Sequence, residues 1–317
     1  MPLSAEGVLQ AQRAARQLKG ANYEMVYCST LSRSAQTASF FGDPVFVEEL
    51  SEMDMGAWDG LTWETIRQNY PDLYGARDSD KSLMPPGAEN CHEAACRFKQ
   101  ALLKTSGDCI VVSHRGTMGS FFCQECGWPF SRAWDLGLNY GCIIRLVVEE
   151  DQVRIFPNQA EIESLYKKYE TPEHVMAHCA AVASLADELA QSLIEHGVAL
   201  NREFLRSAAL LHDVYRTQRN HALAGGQAVV DEGFLFTGQA IAKHHNVKQQ
   251  TEVLDEAALL FFADKLVQGT KRVDIEERFE ASLAKCHSPE ALEKHDALKQ
   301  TALKISDTIF RITANRY

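Results

Sequence analysis

Ala208-Ala209-Leu210-Leu211-His212-Asp213 decides how the second half of this chain is read. An apolar run at helical spacing ends abruptly in two titratable side chains. Polar groups placed there cost stability unless something satisfies them. Leu259-Leu260-Phe261-Phe262-Ala263-Asp264 poses the same question further along. Ligation of a cation answers it at both positions, because imidazoles and carboxylates suit first-row transition metals. His178, His221, His244 and His245 fall on stretches that read as further helices, and a helical bundle can aim such groups at one point.

The helical reading extends outward from there. Thr171-Pro172-Glu173 supplies a cap, a proline at the first helical position and an early acid. Val175, Val182, Leu185, Ala186, Leu189 and Leu193 follow at helical spacing, and Gly197 can end the helix. Asn201 can cap the helix that runs to His212. Further helices are expected over 222–231, 238–244, 256–271 and 275–285, and Ser288-Pro289-Glu290 repeats the start signature. Residues 165–317 are therefore expected to form an all-α domain.

The first half alternates instead. Helices are expected from Ser4 to Leu18, from Ser32, from Asn90 to Leu103 and over 117–126. Between them lie apolar strand candidates at 25–29, 45–47 and 108–113, with a hairpin at 142–148 and 152–156. Alternation of this kind predicts an α/β domain over residues 1–157 with a mainly parallel sheet. The polar stretch 158–170 links the two domains or opens the second.

A chain of 317 residues favours two domains. Its 45% hydrophobic and 24% charged residues are those of an ordinary soluble protein. The net charge of -11 argues against nucleic acid, which calls for a basic face. Small phosphorylated substrates remain open, since a few arginines or metal ions suffice for them. No apolar run approaches the ~20 residues of a membrane span, and Met1-Pro2-Leu3-Ser4 does not begin a secretory signal; a cytoplasmic protein is expected. Nine cysteines scattered singly make no disulfide framework. Cys123 and Cys126 read as buried core thiols. Oligomeric state is not legible.

With these residues in view, the second half resembles the HD-domain phosphohydrolase superfamily. The likeness rests on a helix-borne His178, an apolar helix ending in His212-Asp213 and a later one ending in Ala263-Asp264. His221-Ala222-Leu223-Ala224-Gly225 and Ile241-Ala242-Lys243-His244-His245 match its intervening motifs. The resemblance implies a first metal site from His178, His212, Asp213 and Asp264, with Asp213 able to bridge. It implies a second from His221 and His244, with His245 as a further candidate. One or two divalent ions are expected; Fe, Mn, Co, Ni, Zn and Mg are not distinguished. Arg216 stands where relatives place a phosphate-contacting lysine, and a guanidinium suits that role. Lys265 and Arg272 either face the substrate or, as the leading reading, are solvated helix-face residues.

The first half resembles the histidine phosphatase, or phosphoglycerate mutase-like, superfamily. The matching segments are Leu3-Ser4-Ala5-Glu6-Gly7, Cys28-Ser29-Thr30-Leu31-Ser32-Arg33, Leu50-Ser51-Glu52-Met53 and Val112-Ser113-His114-Arg115-Gly116. The resemblance implies that Arg33 and His114 bind phosphate and that Glu52 donates a proton. The strand carrying the family's phosphate-accepting histidine, in an Arg-His-Gly motif, would precede Ser4 and is not in this sequence. A truncated chain or misassigned start, a fragment of a longer protein, or a degenerate binding module would account for that. Without a nucleophile, covalent turnover is not expected from this half.

The function expected is metal-dependent hydrolysis of a small phosphorylated molecule, with a nucleotide as the leading class, at the HD domain. A histidine phosphatase completed by the missing strand is one alternative. A non-catalytic sensor of phosphorylated ligands is another.

Overall fold

A computed structural model of the chain describes all residues except 219, 246–253, 285 and 315–317. The chain divides into two compact units, Met1–Arg154 and Ile155–Tyr317.

In the first unit, α1 (Ala5–Gln17) starts where Ser4 Oγ accepts from the Gly7 amide. It is followed by β1 (Met25–Cys28), α2 (Ser32–Ala38) and β2 (Pro44–Phe46). Next come α3 (Trp63–Asn69), α4 (Pro71–Ser79), α5 (Cys91–Leu103), β3 (Cys109–Val112) and α6 (Arg115–Cys126). The hairpin β4 (Val147–Glu149) and β5 (Gln152–Arg154) closes the unit. The main sheet runs β2-β1-β3 and is parallel throughout, with Tyr27 opposite Val45 on one side and Val111 on the other. Val26 and Cys28 of the middle strand are buried. Among the described residues β3 pairs with β1 alone, and all its residues are half-buried.

Several expectations need correction here. The α3 and α4 helices went unread, because between them they bury only Ile66 and Arg77 and so carry no apolar stripe. The α6 helix begins at Arg115 rather than 117, since His114 is already its N-cap. The terminal hairpin is shorter than expected, with Glu149 inside β4 and only Glu150 and Asp151 in the turn. Cys123 and Cys126 are buried, and desolvation pushes the Cys123 thiol up to about 12, which leaves it unreactive.

The second unit opens on α7 (Gln159–Lys168), then α8 (Glu173–Glu195), α9 (Arg202–Leu211), α10 (His221–Asp231), α11 (Leu235–Lys243) and α12 (Glu256–Lys265). A short hairpin, β6 (Val267–Gln268) with β7 (Lys271–Arg272), precedes α13 (Ile275–Leu283) and α14 (Pro289–Thr313). The polar stretch at 158–170 is not a bare linker. Asn158 and Glu161 form a capping box, and Ile162 and Leu165 are buried, so it folds as α7. The helix expected over 256–271 stops at Lys265, and Gly269, at φ 63°, turns the chain into the hairpin. The helix expected over 238–244 starts earlier, at Leu235, and ends before His244. The expected end of the 275–285 helix falls on Lys285, outside the described residues.

Packing between α10 and α11 is unusually close. A Cβ on Gly226 would lie 2.5 Å from the Gly238 carbonyl oxygen, and one on Gly238 would lie 2.4 Å from the Gly226 oxygen. Only glycine permits that approach. It brings the start of α10 and the end of α11, both histidine-bearing, within reach of each other.

Candidate metal centre and phosphate site

Every metal ligand proposed from the sequence reaches one place. His178 comes from a half-buried position on α8, while His212 and Asp213 follow the last residue of α9. His221 opens α10, His244 and His245 follow α11, and Asp264 lies in the last turn of α12. Single donor atoms of His178, His212 and Asp264 lie within 4.8 Å of one another. The same holds for His221, His244 and His245, and for the set His212, Asp213 and His244 that joins the two lobes.

The orientation of the rings can be deduced. His178 Nδ1 is 2.8 Å from the Gly269 carbonyl, His212 Nδ1 2.8 Å from that of Ala209, and His244 Nδ1 2.6 Å from that of Ile241. A carbonyl only accepts, so each Nδ1 carries a hydrogen, and in the neutral ring Nε2 is the lone pair. The buried Nε2 atoms of His212 and His244 have no hydrogen-bond partner. His212 Nε2 lies 3.7 Å from both Asp213 Oδ2 and Asp264 Oδ1, and His178 Nε2 lies 3.3 Å from the latter. Lone pairs and carboxylate oxygens directed at one another fit a shared cation, with backbone carbonyls fixing the imidazole orientation from behind.

The second lobe is crowded around His221 Nε2. Asp213 Oδ1 stands 3.2 Å from it, Arg216 Nη1 3.0 Å and His245 Nε2 3.0 Å. One ring nitrogen serves one hydrogen bond, so this convergence also suits a cation. Arg216 remains half-exposed and reaches Asp213 at 3.4 Å.

Electrostatics keep both carboxylates ionised. Burial alone would raise Asp213, but the His221 hydrogen bond and the His212 and Arg216 charges hold it below the usual carboxylate range. For Asp264 burial is again opposed, chiefly by Lys265 and then by His178 and His212, and its acid stays well below normal. Burial, then repulsion from Lys265, pushes His245 down to about 4, and burial with the His212 and His245 charges pushes His244 well below normal. Against burial, Cys179, Asp264 and Asp213 raise His212 well above the ordinary imidazole value, so a cation bound there would displace its proton, whereas His244 and His245 already have the neutral form that ligation requires.

One expectation fails at this centre. Lys265 is not a solvated helix-face residue: its side chain is 9% exposed, with Nζ 2.6 Å from Asp264 Oδ2. All ten residues of α12 except Ala257 are buried, so the helix has no solvent face for it to occupy. Arg272 is exposed, on β7 rather than a helix, and pairs with Glu188.

The first unit brings Arg33, Glu52 and His114 together at the carboxyl end of the parallel strands, where open α/β sheets bind ligands. His114 Nε2 lies 2.7 Å from Ser29 Oγ. Glu52 Oε1 accepts from the Thr117 amide at 3.0 Å and its Oε2 from the Gly116 amide at 3.3 Å, at the N-terminus of α6. Desolvation pushes His114 down to about 4, with Glu52 opposing and Arg33 assisting. Ser29 and Thr117 were not singled out from the sequence, although Ser29 lies inside a quoted motif. Arg97 was missed altogether. It holds Glu89 through both carboxylate oxygens and the carbonyls of Glu49 and Ser51, fixing the loop that carries Glu52.

Residues 1–156 match the model of the histidine phosphatase superfamily, branch 1. Those residues form a histidine phosphatase superfamily domain. Residues 175–268 match the HD domain model, so the histidine phosphatase unit is followed by an HD domain. The adenosylcobalamin/alpha-ribazole phosphatase of Escherichia coli is 28% identical over 44% of this chain and 75% of its own length. An uncharacterized protein of Methanocaldococcus jannaschii is 30% identical over 36% of this chain and 80% of its own length. A solved alpha-ribazole phosphatase from Shigella flexneri covers 49% of this chain and 82% of its own, at 23% identity and a TM-score of 0.42. The two domains mark the chain as a hydrolase acting on phosphate esters. Among the described residues no helix is long and apolar enough to cross a membrane.

Proposed function

We propose that the HD domain hydrolyses a small phosphorylated molecule, with a nucleotide as the leading class, using one or two divalent metal ions. The observation that carries this reading is the set of imidazoles whose Nδ1–H groups are tied to carbonyls, leaving Nε2 lone pairs facing Asp213 and Asp264. His178, His212, Asp213 and Asp264 would hold the inner ion, and His221, His244 and His245 would complete an outer lobe. Such an ion supplies charge to phosphate oxygens and makes water acidic near neutral pH. Asp213 turns one oxygen to His212 and the other to His221, so it serves both lobes. Arg216, half-exposed at the rim, binds substrate phosphate oxygens through its fork of N–H donors. The buried walls of α9 and α12 keep bulk water from the donors.

Metal analysis of the purified chain, followed by a nucleotide and phosphoester panel with and without chelator, tests the proposal. Hydrolysis lost on chelation and restored by metal is expected, as is its abolition by Asp213→Ala. Undiminished activity in the Asp213→Ala protein, or absence of any bound or activating metal, defeats it.

A second reading concerns the first unit. Arg33 and Glu52 lie close enough to His114 to act on its charge, and the E. coli relative's name is that of a phosphatase. We read that unit as binding a phosphomonoester. A change in its tryptophan fluorescence on titrating inorganic phosphate, lost in Arg33→Met, is the expected result.

A further inference from the structure

The two metal-facing carboxylates each carry a cation from the chain itself, but unequally. Arg216 touches Asp213 at 3.4 Å and is half-exposed, so it can leave. Lys265 touches Asp264 at 2.6 Å with 9% of its side chain exposed. Its Nζ also lies 5.2 Å from the centre of the Phe261 ring, whose residue is fully buried. A buried ammonium is costly unless firmly paired, so this one stays with its partner.

The pairing divides the carboxylate. Oδ2 of Asp264 is taken by Lys265, whereas Oδ1 faces His178 Nε2 at 3.3 Å and His212 Nε2 at 3.7 Å. We infer that Lys265 is a positioning residue that confines Asp264 to one oxygen toward the cation and weakens the inner lobe's hold on it. Two physical effects act together. The second carboxylate oxygen is withheld from the donor set, and a fixed positive charge next to a ligand opposes a divalent ion at close range. A site so restrained keeps its ion less tightly and leaves a donor position for water or a phosphate oxygen. The inference rests on the metal reading above and adds to it a residue that is not a ligand.

The test is calorimetric titration of chelator-stripped protein with Mn²⁺ alone. Wild type, Lys265→Met, Lys265→Gln and Lys265→Arg are compared. The Met variant should bind Mn²⁺ about tenfold more tightly, or more, because a like charge and a competitor for Oδ2 are both gone. Lys265→Gln, which still donates to Asp264 but carries no charge, should tighten binding by a smaller factor and stands in should the Met variant not fold. Lys265→Arg should stay within about threefold of wild type, since it keeps the charge. Unchanged or weaker Mn²⁺ binding in both neutral variants overturns the inference while leaving the metal reading intact. No Mn²⁺ binding by wild type overturns both.

Discussion

His178 Nε2 lies 3.3 Å from Asp264 Oδ1, joining side chains 86 residues apart in the chain. The contact ties the first long helix of the HD domain to the last turn of its most buried one. His178 sits at the rim, with 16% of its side chain exposed, while Asp264 is enclosed.

That difference yields the first prediction. His178→Ala should fold, because it opens no core cavity, and should bind Mn²⁺ at least about tenfold more weakly, the scale on which losses at metal sites are felt. Calorimetric titration measures it. Wild-type affinity in the variant would remove His178 from the inner lobe.

Metal should also stabilise the fold. An ion that binds the folded HD domain alone adds about 2.7 kcal/mol at one hundred times its dissociation constant. The unfolding midpoint of the second unit, followed by far-ultraviolet dichroism, should therefore rise with Mn²⁺ and fall again with chelator. Asp264→Asn should show little of this rise.

The backbone contact between Gly226 and Gly238 gives a third. Gly226→Ala puts a methyl group 2.5 Å from the Gly238 oxygen, so α10 and α11 must move apart. A cost of about 1–3 kcal/mol is expected from overpacking. The same shift separates His221 from His244 and His245, so Mn²⁺ stoichiometry or affinity should drop as well. A variant as stable as wild type, with unaltered metal binding, would contradict this.

A fourth prediction concerns pH. Burial lowers the His114 pKa from 6.5 to about 4 in the folded protein. The unfolded chain therefore takes up this proton first as pH falls. His114 contributes full stability above about pH 6.5, loses it progressively down to about pH 4, and is level below that, with a total of about 3 kcal/mol. All four tryptophans, Trp58, Trp63, Trp128 and Trp134, lie in the first unit, so their fluorescence in urea reports on it alone. His114→Gln should flatten the dependence between pH 6.5 and 4.5; parallel slopes for the two proteins would refute the assignment.

Much of this was legible along the chain. Apolar periodicity and caps such as Ser4, Asn90 and Asn201 place helices because they act locally, over one or two turns. The segments that escaped notice, α3 and α4, bury almost nothing and so leave no pattern. The helix drawn through Lys265 to residue 271 failed for the opposite reason: Val267 continues the apolar run, and only Gly269 signals the turn.

The sequence by itself determined the two fold classes, the family resemblances and the candidate donors, since an unexplained His212-Asp213 or Asp264 after an apolar run is a local anomaly. Only the tertiary structure decided which nitrogens face inward, how the donors divide into two lobes, and that Lys265 is buried on Asp264. Those outcomes depend on the approach of α8, α10, α11 and α12, helices separated along the chain, as the Gly226–Gly238 contact between α10 and α11 illustrates. Charge shows the same division: Lys265 is merely the residue after Asp264 in the chain, and it becomes that carboxylate's partner because every face of its helix is covered.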